Sequence, residues 1–239
     1  HLSWFRPALL VDWTVILVLT LISIHIESIY PYERDVGHYL GDNDISWPHV
    51  FPERVSVRLL DHLAFKLPAL LVVLISAMKL SLHDLHHSLL VLCSSRAIMR
   101  IAVEFIKNRV GRLRPDFLDR CAYSVLEKAC TGPFNLVKDG RRSFPSGHSS
   151  TAFQGLFFLC LFIAGKNGAF AFGATFPRSG LLQSRLLRFS LAVSPLFLAV
   201  WICITRLEDH MHHPTDVLAG STIGILSALA AYLIYYPSP

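Results

Sequence analysis

Hydrophobic residues along the chain gather in six blocks, at about 8–29, 60–80, 85–106, 149–165, 186–205 and 214–236. Each is close to the ~20 residues an α-helix needs to cross a hydrocarbon layer. The pattern predicts an all-α, polytopic membrane protein, a six-transmembrane-helix bundle making up one integral-membrane domain over residues 1–239. No internal repeat or low-complexity tract divides it. The first block follows His1 to Pro7 and runs to Glu27 without a small-residue cleavage site, so it reads as a permanent helix rather than a signal peptide. The block at 85–106 is the most polar. Arg96, Arg100 and Glu104 recur there every four residues and so share one helical face. That stripe is expected to turn toward the bundle interior with Arg100 and Glu104 paired, or alternatively to border a substrate path, since ionisable groups inside membranes tend to be functional.

Three polar segments separate the blocks. Residues 30–59 are rich in Pro, His and Asp, residues 107–143 form the longest and most basic connection, and residues 206–213 are short and dense in His and acid. Two helices lie between the second and third segments, so these two must face the same compartment. Composition agrees with a membrane protein: 53% of the 239 residues are hydrophobic and 16% charged, against about 25% charged in soluble globules. The net charge of +5 comes without a Lys/Arg-rich tail or an aromatic-basic platform. Nucleic acid is therefore not the expected partner; anionic small groups or lipid headgroups are. Cys93, Cys160 and Cys203 fall inside apolar blocks and read as small packing residues. Cys121 and Cys130 share one polar loop. They form a disulfide if that loop faces an oxidising compartment and stay free thiols otherwise.

Three short constellations could carry chemistry. Lys107, six residues, then Arg114-Pro115 bring two cations to the end of the third helix, with Arg109 and Arg112 adding charge. Arg meets phosphoryl oxygens with a bidentate fork and Lys with a point charge, although a basic cluster at a membrane edge also holds lipid headgroups. Phe144-Pro145-Ser146-Gly147-His148-Ser149-Ser150 leads directly into the fourth helix. A helix N-terminus attracts anions; Gly147 would let backbone approach an oxygen, Ser146 offers a hydroxyl, and His148 stands where a general acid could reach a leaving group. Ordinary N-capping by these serines is the competing reading. Arg206, five residues, His212, three residues, Asp216 complete the set. A neutral, oriented histidine can attack phosphorus, and a carboxylate one turn on could hold its other ring nitrogen. Pro214 suits a first helical turn, which places the start of the sixth helix near His213. His210, His212 and His213, with His83, His86 and His87, also raise a metal site. No Cys or carboxylate set with zinc-ligand spacing accompanies them, so none is expected.

Lys107-x6-Arg114-Pro115, Pro145-Ser146-Gly147-His148 and Arg206-x5-His212-x3-Asp216 resemble, in order and spacing, the three-part signature of the type-2 phosphatidic acid phosphatase (PAP2) superfamily. The block pattern resembles its six-helix lipid phosphate phosphatases. Pro31-Tyr32-Glu33-Arg34, with Pro48 and Glu53, resembles the fungal diacylglycerol pyrophosphate phosphatases. The resemblance implies a PAP2/haloperoxidase-like catalytic core and metal-independent hydrolysis of lipid phosphates or pyrophosphates without a cofactor. It implies that Lys107, Arg114 and Arg206, helped by Ser146 and Gly147, hold the phosphate. His212 would be the nucleophile, Asp216 its orienting partner and His148 the acid. Thr205 stands where the family usually has Ser, and it keeps a hydroxyl. The implied partners are a membrane lipid phosphate and the bilayer; oligomeric state is left open. A haloperoxidase would be soluble, a transporter would show matching broken helices in its two halves, and a catalytically silent interaction protein would lack the histidines this chain retains. Lys/Arg counts alone would put the basic loop in the cytosol. The resemblance puts the catalytic face in the lumen or outside the cell with both termini cytosolic, leaving Lys166, Arg178, Arg185 and Arg188 on the other side.

Overall fold

A computed structural model describes residue 4 and residues 6–171 and 180–236; Arg178 lies outside the described residues. The long helices are α1 (Ala8–Ser28), α2 (Val57–Met78), α3 (Leu82–Val110), α6 (Gly147–Asn167), α7 (Arg185–Glu208) and α8 (Pro214–Tyr235). Two short helices, α4 (Phe117–Cys121) and α5 (Phe134–Gly140), flank a two-residue hairpin, β1 (Tyr123–Ser124) and β2 (Ala129–Cys130). Each apolar block matches one long helix, with 8–29, 60–80 and 214–236 running one or two residues past the helix end. In α2, Pro68 has no N–H to offer the Ala64 carbonyl, and the helix widens to a π turn over His62–Lys66.

Among the described residues five helices, the long ones other than α3, are long and apolar enough to cross a membrane. α1 carries Leu10, Val11, Leu17 and Leu21 more than half exposed, and α7 carries Phe197 at 75%. Such surfaces are costly in water and natural in lipid. Helix α3 has the length, at 29 residues, but too many charges for that composition. Its stripe does not pair internally as expected. Arg100 bonds Glu27 of α1 at 2.8 Å, Arg96 bonds Asp61 of α2 at 2.9 Å, and Glu104 meets Arg142 and Lys107. Pairing across helices wins because each group then meets an opposite charge carried by a neighbouring element as the helices pack.

Helix α6 is the axis of the bundle, packed by α2, α3, α7 and α8. Phe158, Leu159 and Phe162 meet Val72, Val91, Leu92, Ala228, Ala231 and Tyr232 around it. In lipid, apolar contact between helices gains little from water exclusion, so close approach and polar bonds must hold them. Gln154, fully buried, donates to Ser95 Oγ at 2.6 Å, and Asn167 and Arg188 bond each other's carbonyls at 3.0 and 3.1 Å. A side chain at Gly220 of α8 would stand 2.4 Å from the Ser146 carbonyl, so only glycine lets α8 seat against the start of α6.

The chain alternates between two polar ends. The second and third polar segments meet at one end, where Cys121 and Cys130 are joined by a disulfide. Trp4, the start of α3, Lys166 and Tyr236 meet at the other.

Candidate active site

A cavity of about 630 Å³ opens at the first end, walled by α1, α2, α3, the start of α6 and the turn before α8. Lys107, Arg114, Gly147, His148 and His212 line it, so the three constellations converge from positions 105 residues apart (212 − 107). Its charges are largely matched in place. Lys107 Nζ lies 3.3 Å from Glu104, Arg114 2.8 Å from Asp139, Arg96 2.9 Å from Asp61 and Arg100 2.8 Å from Glu27, and all eight groups line the cavity. Burial opposes the charge on Asp139, yet Arg114, Arg120 and Lys107 hold its carboxyl at about 2. A Cβ on Gly147 would come within 2.9 Å of Lys107 Nζ; its absence lets the ammonium sit against the first turn of α6.

His212 is buried in the turn between α7 and α8. Its Nδ1 donates to the Ser143 carbonyl at 2.8 Å. A carbonyl only accepts, so Nδ1 carries the proton and Nε2 keeps a lone pair. Burial pushes this imidazole down to about 4, against the pull of Asp216 and with the help of Arg114 and Lys107. Asp216 stands 3.8 Å from Nδ1, beyond hydrogen-bond reach. It accepts instead from Ser143 Oγ at 2.6 Å, from Arg112 at 2.6 Å, and from the His213 backbone at 3.0 Å. The carboxylate therefore fixes Ser143, and Ser143 fixes His212. Pro214 opens α8 with His213 as its N-cap and Asp216 closing the capping box.

His148, half-buried at the start of α6, has Nε2 3.0 Å from the Val55 carbonyl and 3.9 Å from Glu53. Nε2 thus carries the proton of the neutral ring and Nδ1 is the nitrogen left to gain or give one; burial, then the Arg206 charge, pushes this imidazole well below its ordinary value and favours the neutral form. The segment 53–55 docks along this side of the site. Glu53 accepts from Arg206 at 2.6 Å, the Arg54 N–H donates to Asp209 at 2.9 Å, and the Val55 carbonyl holds His148. Arg206 is fully buried behind the cavity wall, bonded also to Asp209 at 3.1 Å and to Thr205 Oγ1 at 3.2 Å. Ser146 is likewise buried; its hydroxyl caps α6 by accepting from the Ser149 N–H at 3.3 Å. The neighbouring histidines diverge, His210 stacking on Trp47 at 4.3 Å and His213 capping α8. Among the described residues no group of three or more His, Cys, Asp or Glu is placed to hold a metal ion.

Sequence reasoning missed Ser143, Asp139, Asp209 and Arg142. Ser143 acts through its carbonyl, which any residue owns, and the others are ordinary loop charges until the fold gives them partners. Arg112 and Glu53 carried a signal, the first as part of the basic cluster and the second within the Pro-rich loop.

A neutral histidine held by one nitrogen, with cations and a helix N-terminus beside its free one, at one end of a bundle of membrane-length helices, defines a site for handling an anion delivered from a bilayer. Residues 88–238 match the PAP2 superfamily, and the chain belongs to that family. It is 32% identical to lipid phosphate phosphatase 2 of Arabidopsis thaliana over 95% of this chain and 77% of the relative. It is 34% identical to lipid phosphate phosphatase 1 of the same plant, over 95% and 68%. To diacylglycerol pyrophosphate phosphatase 1 of Saccharomyces cerevisiae it is 31% identical, over 95% and 79%. No solved structure matches the chain.

Proposed function

We propose that this protein is a multi-pass membrane phosphatase that hydrolyses lipid phosphates through a phosphohistidine at His212. The observation that carries the mechanism is the bond from His212 Nδ1 to the Ser143 carbonyl, which leaves Nε2 with its lone pair beside the cavity's cations. Lys107 and Arg114 take the phosphoryl oxygens as they spread charge in the transition state, with Gly147 opening the positive end of α6 toward them. Arg206 adds positive charge from behind, and Ser146 holds the first turn of α6 in place. Nε2 forms a bond to phosphorus while the phosphorus–oxygen bond to the lipid breaks. His148 gives the departing oxygen a proton from Nδ1, taken up from solvent once the substrate's phosphate anion offsets the burial and the Arg206 charge that otherwise hold this imidazole neutral. His148 then takes a proton from water, whose oxygen attacks phosphorus; the nitrogen–phosphorus bond breaks and inorganic phosphate leaves. The step requires no redox partner, and the resident cations neutralise the phosphoryl charge.

The same cavity reaches Glu27, Arg96 and Arg100 between α1, α2 and α3. Through that side an acyl chain can remain in the bilayer while its phosphate sits at His212. Helix α3 is then a sixth span, its charges turned to its partners rather than to lipid, and the whole chain works as one domain. The disulfide at the catalytic end favours a lumenal or extracellular site, with Lys166, Arg185 and Arg188 at the cytosolic end near both termini.

The test is single-turnover hydrolysis of labelled phosphatidate, quenched separately in acid and base. A phosphoramidate survives base and is lost in acid, so wild type should trap label only after base. Base-stable label in His212→Ala would overturn the assignment. Cysteines placed at Asp139 and at Ser184 should react with an impermeant reagent from opposite sides, and labelling from one side would break the topology.

A further inference from the structure

Among the described residues, one cationic side chain lining the cavity has no partner. Arg96, Arg100, Lys107 and Arg114 each pair with a carboxylate that also lines it. Arg58, an exposed residue in the first turn of α2, also lines it, and its guanidinium makes no hydrogen bond or ion pair among the described residues. Its position is specific. It follows Val55 by three residues, and the Val55 carbonyl holds His148. Arg58 therefore shares the cavity with His148 and His212 and lies one turn beyond the segment that holds His148.

We propose that Arg58 is an anion subsite for the leaving phosphate of a lipid diphosphate, a reading that rests on the phosphatase function above. The two substrate classes differ in what departs. When His212 Nε2 bonds to the terminal phosphorus of a diphosphate, the bridging phosphorus–oxygen bond breaks and its electron pair stays on the lipid monophosphate, which leaves as an anion. A guanidinium beside that anion lowers the barrier by neutralising charge that a proton from His148 alone does not cover. When a lipid monophosphate reacts, the departing oxygen becomes an alcohol after protonation, and Arg58 has no charge to meet. Arg58 thus favours diphosphates without contributing to the cleavage of monophosphates.

The experiment compares kcat/KM for diacylglycerol pyrophosphate and phosphatidate of matched acyl chains, in the same mixed micelles, for wild type, Arg58→Gln and Arg58→Lys. Arg58→Gln should lower the diphosphate value by roughly tenfold or more while phosphatidate changes less than about twofold, and Arg58→Lys should recover part of the loss. A parallel fall on both substrates would make Arg58 a general headgroup or surface anchor and overturn the subsite, as would no change on either. The base-stable phosphoenzyme is followed in every variant. Its absence from wild type would defeat the mechanism itself, whereas its presence with an unchanged substrate ratio defeats only the role of Arg58.

Discussion

The two polar ends of the bundle are both built from histidine, aromatic and charged residues, yet the proposed reaction centre lies at one of them. At the end that carries the start of α3, His83 and His87 stack with ring centroids 4.0 Å apart, Trp4 packs edge-on against them, and His86 accepts from Trp13 Nε1 at 3.2 Å. Lys166 and Asp84 pair nearby at 2.7 Å. These rings meet one another and the helix ends, and His87 Nδ1 donates to the His83 carbonyl at 2.9 Å, so a fixed tautomer is not peculiar to either end. At the other end His148 and His212 are each held by a backbone carbonyl on one nitrogen, which sets the tautomer, and both border a cavity lined by cations. Residue type does not make a site. A fixed proton position, adjacent opposite charge and room for a ligand do.

Mutations can break that contrast. The largest effect should be at His212, where substitution by Ala abolishes turnover and the trapped phosphoenzyme whatever the leaving group. His148→Ala should lower phosphatidate hydrolysis by roughly 10²–10⁴-fold, the usual range for acid catalysis, and far less on a nitrophenyl phosphate whose leaving group needs no proton. Equal losses on the two substrates would remove His148 from the acid's role. Asp216→Asn should cost about 10–100-fold, the range for partners that orient a reacting histidine indirectly. Its acid-quenched and base-quenched label should keep the wild-type pattern, because the nucleophile is unchanged.

Acidity gives a smaller, graded effect. His212 must be neutral to attack, and burial holds it at about 4, so the acid limb of kcat/KM should fall near that value rather than near the ordinary histidine value of about 6.5. The sign for stability is the same. The unfolded chain gains the proton first, so this histidine's contribution is full above about pH 6.5 and is lost as pH drops toward about 4. An acid limb near 6.5 would mean that His212 is solvated in the working enzyme. At the bottom of the scale, His86→Ala at the opposite end should leave kcat/KM on phosphatidate within about twofold of wild type; a large loss would erase the distinction between the two ends.

Much of this architecture was legible in the sequence, because its causes are local. A block of ~20 apolar residues can satisfy its backbone in lipid only as a helix, and Pro214 before Asp216 marks a helix start wherever it occurs. The three constellations were legible for a similar reason, since each keeps its spacing within one turn or helix end. The pairing of Arg100 with Glu27 rather than Glu104, the Ser143 carbonyl in the place expected for Asp216, and the docking of 53–55 onto His148 and Arg206 were not. Each joins elements far apart in the chain, and spacing says nothing about which helices will be neighbours or which carbonyl will point inward. The sequence by itself determined the membrane-length helices and the residues proposed to hold and attack a phosphate. Only the tertiary structure decided which nitrogen of His212 carries the proton and which cavity cations already have a partner, because both depend on groups brought within about 3 Å by packing between helices.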